Sequence, residues 1–128
     1  MVERIVVMST VKRVAAVELV NFRQSVVKLL CHEHLDLTVR QLAVLLVCYT
    51  EAQPQTIRGL AVTLMTPYRS SITRAIDVLA DRDLLVRRSD PKDYRSVFVV
   101  TTAKGQALMR RLQTTIRSTI PTTSVDDA

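Results

Sequence analysis

Two stretches of this chain carry residue types that can do chemistry. In RSSITRAID, Arg69 to Asp77, the polar residues Ser70, Thr73, Arg74 and Asp77 recur at helical spacing. An arginine fork suits either the edge of a guanine or a phosphate, and a hydroxyl can bond to bases or phosphates alike. Arg69 and Ser71 flank this face, and Tyr68 stands at the entrance, where a phenol reaches a phosphate. In SDPKDYRS, Ser89 to Ser96, acids and bases crowd around a proline turn with Lys92 at its tip and Arg87 and Arg88 just before it. Asp90 and Arg95 stand at opposite ends of that turn and are expected to pair across it. An exposed pair contributes only ~0–1 kcal/mol, so its use is to hold a shape. Ser, Thr and Arg are also ordinary residues on any solvent-facing helix, and a charged hairpin also serves solubility. The composition and the order of the elements decide what weight they carry.

Lys and Arg number 18 against 12 Asp and Glu, a formal charge of +6 and a pI near 9.9, which favours a polyanionic partner. Hydrophobic residues make up 48% of the 128, enough for a packed core and too many for a disordered chain. Two cysteines, Cys31 and Cys48, are too few for a disulfide scaffold and fit a reducing compartment. The apolar run in MVERIVVMSTVKRV is too short to span a bilayer and has no small-residue cleavage site. LAVLLVCY, Leu42 to Tyr49, is also too short. The expectation is a cytoplasmic protein with no membrane association.

The elements that must position these residues can be read from periodicity. A first helix is expected from about Thr10 to Leu30, with Ala15, Leu19, Phe22, Val26 and Leu30 on one stripe. Val17, Val20 and Val27 widen it, as a helix packing on both its own domain and a second chain requires; a helix wholly inside one core remains the alternative. Thr38 and Gln41 have capping-box spacing, flanked by Leu37 and Leu42 as a hydrophobic staple, and Leu42, Leu45, Leu46 and Tyr49 form the face that follows. Pro54 breaks the chain, and Thr56 opens a short helix with Ile57, Leu60, Ala61 and Leu64 inward. At MTPYRSS, Thr66 is a candidate N-cap with Pro67 in the first helical position, ahead of the stripe Ile72, Ala75, Ile76 and Leu79. LLVRRS and SVFVVT read as strands around the turn DPKDYR, and Thr102 begins a last helix carrying Leu108, Leu112 and Ile116. The fold class is therefore mainly α with a small β-hairpin. Two short helices followed at once by a hairpin is the order of a winged helix-turn-helix, in which the second short helix enters the major groove and a cation at the hairpin tip reaches the minor groove or its phosphates. The DNA-binding residues expected are Tyr68, Arg69, Ser70, Ser71, Thr73 and Arg74 at the helix, with Arg87, Arg88, Lys92 and Arg95 as the hairpin cations beside the duplex.

At this point the motifs resemble a known family. LTVRQL, TIRGLAVTL, SSITRAIDVLADRDLLVRRSDPKDYRS and TTAKGQAL, in that order from about Leu37 to Leu112, are similar to the segments of the MarR family of bacterial transcription regulators. The resemblance implies a homodimer binding a pseudo-palindromic operator in double-stranded DNA, often with release by a small-molecule effector. It carries Ser70, Thr73 and Arg74 to the family's major-groove positions, Lys92 to its wing-tip cation, and Asp90 with Arg95 to its wing-bracing pair. It also implies dimerisation through the terminal helices, here Leu19, Phe22, Val26, Leu112 and Ile116. The domain expected is a single winged helix-turn-helix over residues 1–120 with a tail over 121–128. The chain departs from the pattern at Tyr94, where the wing usually has arginine, at Asp83, where glycine is usual, and at Pro121, which ends the last helix early.

Other functions lack parts. Gly59 and Gly105 are the only glycines, so there is no glycine-rich phosphate loop, and no nucleophile–base set suggests itself; neither an enzyme nor a cofactor is expected. CHEH, Cys31 to His34, holds metal-ligand residue types, but neighbours on a helix point apart, and imidazoles also suit a helix C-terminus electrostatically. No metal site is expected. Neither cysteine lies next to an obvious activating cation, and Cys48 reads as core. The remaining rival is a winged-helix adaptor that binds a protein partner instead of DNA.

Overall fold

In a computed structural model, which describes residues 17–118, local signals set most of the helices. Thr38 caps helix α2 (Val39–Thr50): its hydroxyl accepts the Gln41 amide at 3.1 Å, and the Gln41 side chain accepts the Thr38 amide at 2.9 Å. The reciprocal bonds satisfy two amides that have no partner within the helix. Val44 and Leu45 on α2 are fully buried. Thr56 caps α3 (Ile57–Thr63) with a single bond, its hydroxyl accepting the Gly59 amide at 2.9 Å, and Leu60 is buried. Helix α4 (Arg69–Asp81) buries Ile72, Ala75, Ile76 and Leu79, the stripe expected from its sequence.

Strands β2 (Leu85–Asp90) and β3 (Asp93–Thr101) form the hairpin, and α5 (Ala103–Ser118) follows. The sheet has a third strand that periodicity did not disclose. β1 (Gln55–Thr56) pairs antiparallel with β3 through Gln55↔Val99 and Thr56↔Phe98, giving the order β1-β3-β2. Two residues are too few to show a period, and only the partner strand makes them a strand.

The chain divides into two compact units. Leu37–Arg110 contains the short helices, the sheet and the first half of α5. Its core is Val44, Leu45, Leu60, Ile72, Ile76, Leu79, Leu84, Leu85, Val99, Leu108 and Met109. The close of this unit is tight. Asp83 takes a left-handed φ of 59°, Thr102 donates its amide to the Leu84 carbonyl at 3.1 Å, and the Thr102 hydroxyl bonds the Asp83 carbonyl.

The other unit, described over residues 17–36 and 111–118, holds α1 (Val17–Cys31) and the second half of α5. The start of the first helix, Ala15 and the tail at 121–128 lie outside the described residues. The apolar stripe of the first helix is only partly covered within this unit. The buried line on α1 is Asn21, Ser25 and Leu29, while Leu19 and Phe22 remain 68% and 54% exposed and Leu30 is exposed too. Ser25 can be buried because its hydroxyl bonds the Asn21 carbonyl at 3.0 Å, one turn back. His34, at φ 55°, ends the helix: the His32 and Glu33 amides donate to the Lys28 carbonyl and the Leu35 amide to that of Leu29. Arg111 holds this cap from α5, placing Nε and Nη2 at 2.8 and 2.9 Å from the two oxygens of Glu33.

Candidate nucleic-acid interface

Helix α4 begins later than its sequence suggests. Met65 takes a left-handed φ of 51°, and the Met65 and Thr66 amides close the end of α3 on the carbonyls of Val62 and Ala61. Thr66 is thereby used as a C-terminal residue, Pro67 stays outside the helix, and Tyr68 takes the N-cap position with no side-chain cap bond. The Tyr68 ring is left exposed beside the first turn. From that start Arg69, Ser70 and Arg74 are exposed, and Ser71 and Thr73 are half-buried.

Asp77, on the same helix, does not face solvent alone. It forms an ion pair and hydrogen bond with Arg87 of β2. Arg87 is thus committed to tying α4 to the hairpin, whereas Arg88 is exposed and enters no ion pair among the described residues.

The hairpin tip is also tighter than expected. Asp90 pairs with Asp93, leaving Pro91 and Lys92 as the turn, with an irregularity at Ser89/Asp90. Asp90 and Arg95 are not among the ion pairs of the described residues. Asp90 instead accepts the Lys92 amide at 2.8 Å, and Asp93 accepts the Arg95 amide at 3.0 Å and the Ser96 hydroxyl at 3.2 Å. Aspartates bond the backbone two residues on more readily than they span a strand pair. The brace is therefore carboxylate to backbone, and the Lys92 and Arg95 side chains stay exposed. Asp93, which sequence reasoning passed over, carries half of it.

Arg69, Thr73 and Arg95 come together with a residue that sequence reasoning did not single out, Arg58. They line a cleft of about 420 Å³ with Thr56, Ile57, Ser96 and Val97. Ser70, Arg74, Arg88 and Lys92 lie outside it. The signal for Arg58 was its place two residues after a capping threonine, which has meaning only once β1 is known to pair with β3.

The residues expected at a dimer contact have mixed exposure: Leu19, Phe22 and Ile116 are exposed, while Val26 and Leu112 are half-buried. Cys48 is partly buried, and desolvation pushes its thiol up to about 11, so it is protonated at neutral pH. Among the described residues no group of three or more His, Cys, Asp or Glu side chains is gathered as metal ligands. No described helix is long and apolar enough to cross a membrane.

Comparison with known proteins agrees with this geometry. Residues 37–105 match the family model for the winged helix DNA-binding domain. Among solved structures, the chain is similar to a MarR-family transcriptional regulator from Rhodococcus sp. RHA1, at 26% identity and a TM-score of 0.57, covering 92% of this chain and 83% of that one. It is similar to a transcriptional regulator from Thermotoga maritima at 27% identity and a TM-score of 0.64, covering 72% of this chain but only 63% of the other's length. The fold is shared with the DNA complex of MepR from S. aureus, at 20% identity and a TM-score of 0.69 over 83% of this chain and 84% of that one. No curated protein matches the sequence. With helix α4 and a braced hairpin in place and more than half the chain matched, the chain belongs to the winged helix DNA-binding domain family, in a MarR-like arrangement.

Proposed function

We propose that the chain is a sequence-specific transcription regulator that binds a pseudo-palindromic operator as a homodimer, through α4 in the major groove and the β2–β3 wing beside it. The observation that carries the reading is the cationic face of unit Leu37–Arg110: Ser70 and Arg74 exposed on α4, and Lys92 and Arg95 exposed on the wing. Such residues supply base-edge contacts from the helix and phosphate or minor-groove contacts from the wing. The MepR structure, solved with DNA, has this fold.

The dimer is supported by α1. Leu19 and Phe22 face solvent on a helix whose buried line contains Asn21 and Ser25. Exposed apolar side chains of this size gain by being covered, at about 25 cal/mol per Å², and a second copy presents the same surface. In this reading Leu19, Phe22, Val26, Leu112 and Ile116 form the contact, the winged helix is one domain within residues 1–120, and a small-molecule effector releases the DNA.

The test is selection of fragmented genomic DNA by the purified protein at ~0.15 M salt, where non-specific binding is weak. Recovery of inverted repeats with half-sites about 10 bp apart, or a multiple of that, is the expected result; no enrichment over background refutes an autonomous regulator. A second reading has an observation of its own. Val62, Met65 and Tyr68 are all exposed around the turn between α3 and α4, a surface that a protein partner could cover. Salt separates the two, since phosphate contacts weaken steeply with it and apolar contacts do not.

A further inference from the structure

The cleft between the helix-turn-helix and the wing gathers three cations from three separate elements. Arg58 sits in the first turn of α3, Arg69 opens α4, and Arg95 lies near the start of β3, and all three line the same hollow. Their meeting follows from the sheet. The pairing of Gln55 and Thr56 with Val99 and Phe98 fixes the entry to α3 against the strand that carries Arg95.

Folding alone gives no reason to collect these charges. Among the described residues, no carboxylate forms an ion pair with Arg58, Arg69 or Arg95. No acidic residue lines the cleft. The hydroxyls of Thr56 and Thr73 do line it, and Thr56 accepts the Gly59 amide, which leaves its own O–H free to donate. The site is rich in donors, and an anion there relieves the mutual repulsion of three like charges.

The arrangement also selects among parts of a duplex. A base edge is planar and is met by one fork in its own plane. Donors arriving from three elements suit acceptor oxygens pointing in several directions, as on a phosphate. A cleft of about 420 Å³ admits that group together with the adjoining sugar.

We infer that Arg58, Arg69 and Arg95 form one clamp on a single backbone phosphodiester of the bound duplex. This rests on the DNA-binding reading above and adds two things to it. Arg58 becomes a binding residue, and Arg95 becomes a joint between wing and helix-turn-helix instead of a separate wing contact. The clamp carries no base information and sets the register in which α4 meets the base edges.

The test is fluorescence anisotropy of the full chain with a labelled mixed-sequence duplex, between about 50 and about 200 mM chloride salt. Arg58→Gln is expected to weaken binding about tenfold at the low end, as loss of a charged hydrogen bond does. Each phosphate neutralised adds ~0.9 to the slope of log affinity on log salt. A shared phosphate predicts that the triple variant Arg58→Gln, Arg69→Gln, Arg95→Gln loses about 0.9 per bound subunit. Three separate contacts would lose about three times as much, and that result overturns the clamp. Unchanged affinity in Arg58→Gln also overturns it while leaving DNA binding intact. Failure of the unsubstituted chain to bind any duplex removes both readings together. Inorganic phosphate at matched ionic strength distinguishes the source of the anion. No effect beyond chloride keeps the site for the backbone, and competition that depends on Arg58 reassigns it to a free anion. All three side chains are exposed, so the variants are expected to fold, and their circular dichroism melts check it.

Discussion

Replacing Gly105 by alanine tests whether the junction behind the wing is as tight as its geometry indicates. A Cβ added at Gly105 lies 2.2 Å from the Leu84 carbonyl oxygen, and real Cβ contacts essentially never fall under 3.0 Å, so something must move by at least about 0.8 Å. Leu84 has little freedom to move. Its amide donates to the Leu79 carbonyl at 2.9 Å, its carbonyl accepts the Thr102 amide at 3.1 Å, and its side chain is buried. Overpacking costs about 1–3 kcal/mol, and backbone as the obstacle places this case at the upper end. Alanine recovers up to about 1 kcal/mol over glycine in a helix, which leaves a net loss of about 1–2 kcal/mol. For a chain of this size that lowers Tm by roughly 4–10 °C. Thermal and urea unfolding followed by circular dichroism measure it. Gly59→Ala is the internal comparison. Both glycines sit three residues after a capping threonine, but the new Cβ at Gly59 meets side-chain atoms, Thr56 Oγ1 at 3.1 Å and Gln55 Oε1 at 3.9 Å. That variant is expected to stay within about 1 kcal/mol of the parent. If Gly105→Ala melts at or above the parent temperature, the close approach of α5 to Leu84 is wrong.

Other predictions follow from single features. Asp83 holds φ 59°, so Asp83→Gly is expected to raise stability by about 0.5–1 kcal/mol, strain relief outweighing the added freedom of the unfolded chain; an unchanged urea midpoint would count against the strain. Glu33 has its carboxyl lowered chiefly by the Arg111 hydrogen bond, against a desolvation penalty. A carboxylate lowered on folding stabilises above its unfolded value of about 4.3 and loses that contribution as pH falls below it. Glu33→Gln should therefore cost at most ~1 kcal/mol at neutral pH, the pair being partly exposed, and the gap to the parent should close on acidification. A gap that widens instead refutes the pair. Cys31 is exposed while Cys48 is partly buried with its thiol pushed up to about 11, so a thiol reagent at neutral pH should label one cysteine quickly and the second only on unfolding. Two equal rates would contradict the burial of Cys48.

The sequence by itself determined what is local. The capping box at Thr38 and Gln41 needs only a three-residue spacing, and the α4 stripe Ile72, Ala75, Ile76 and Leu79 needs only a helical period; both are present as read. The strands of the wing followed from β-branched residues on either side of an Asp-Pro turn. Tertiary structure decided the pairings between elements that are not joined by a tight turn, and which side chains meet across them. An exposed cation can bond whichever acceptor folding brings near, so sequence assigned Arg87 to a duplex and Arg95 to Asp90, whereas packing joined Arg87 to Asp77 and left the brace to backbone amides. Likewise β1 exists because β3 passes beside it, and Arg58 reaches the cleft because β1 exists. On α1 the period gave the apolar stripe, but which face is buried depends on what packs there, and that face proved to be Asn21, Ser25 and Leu29. Spacing along one element fixes which side chains share a face; only contact between elements fixes what that face meets.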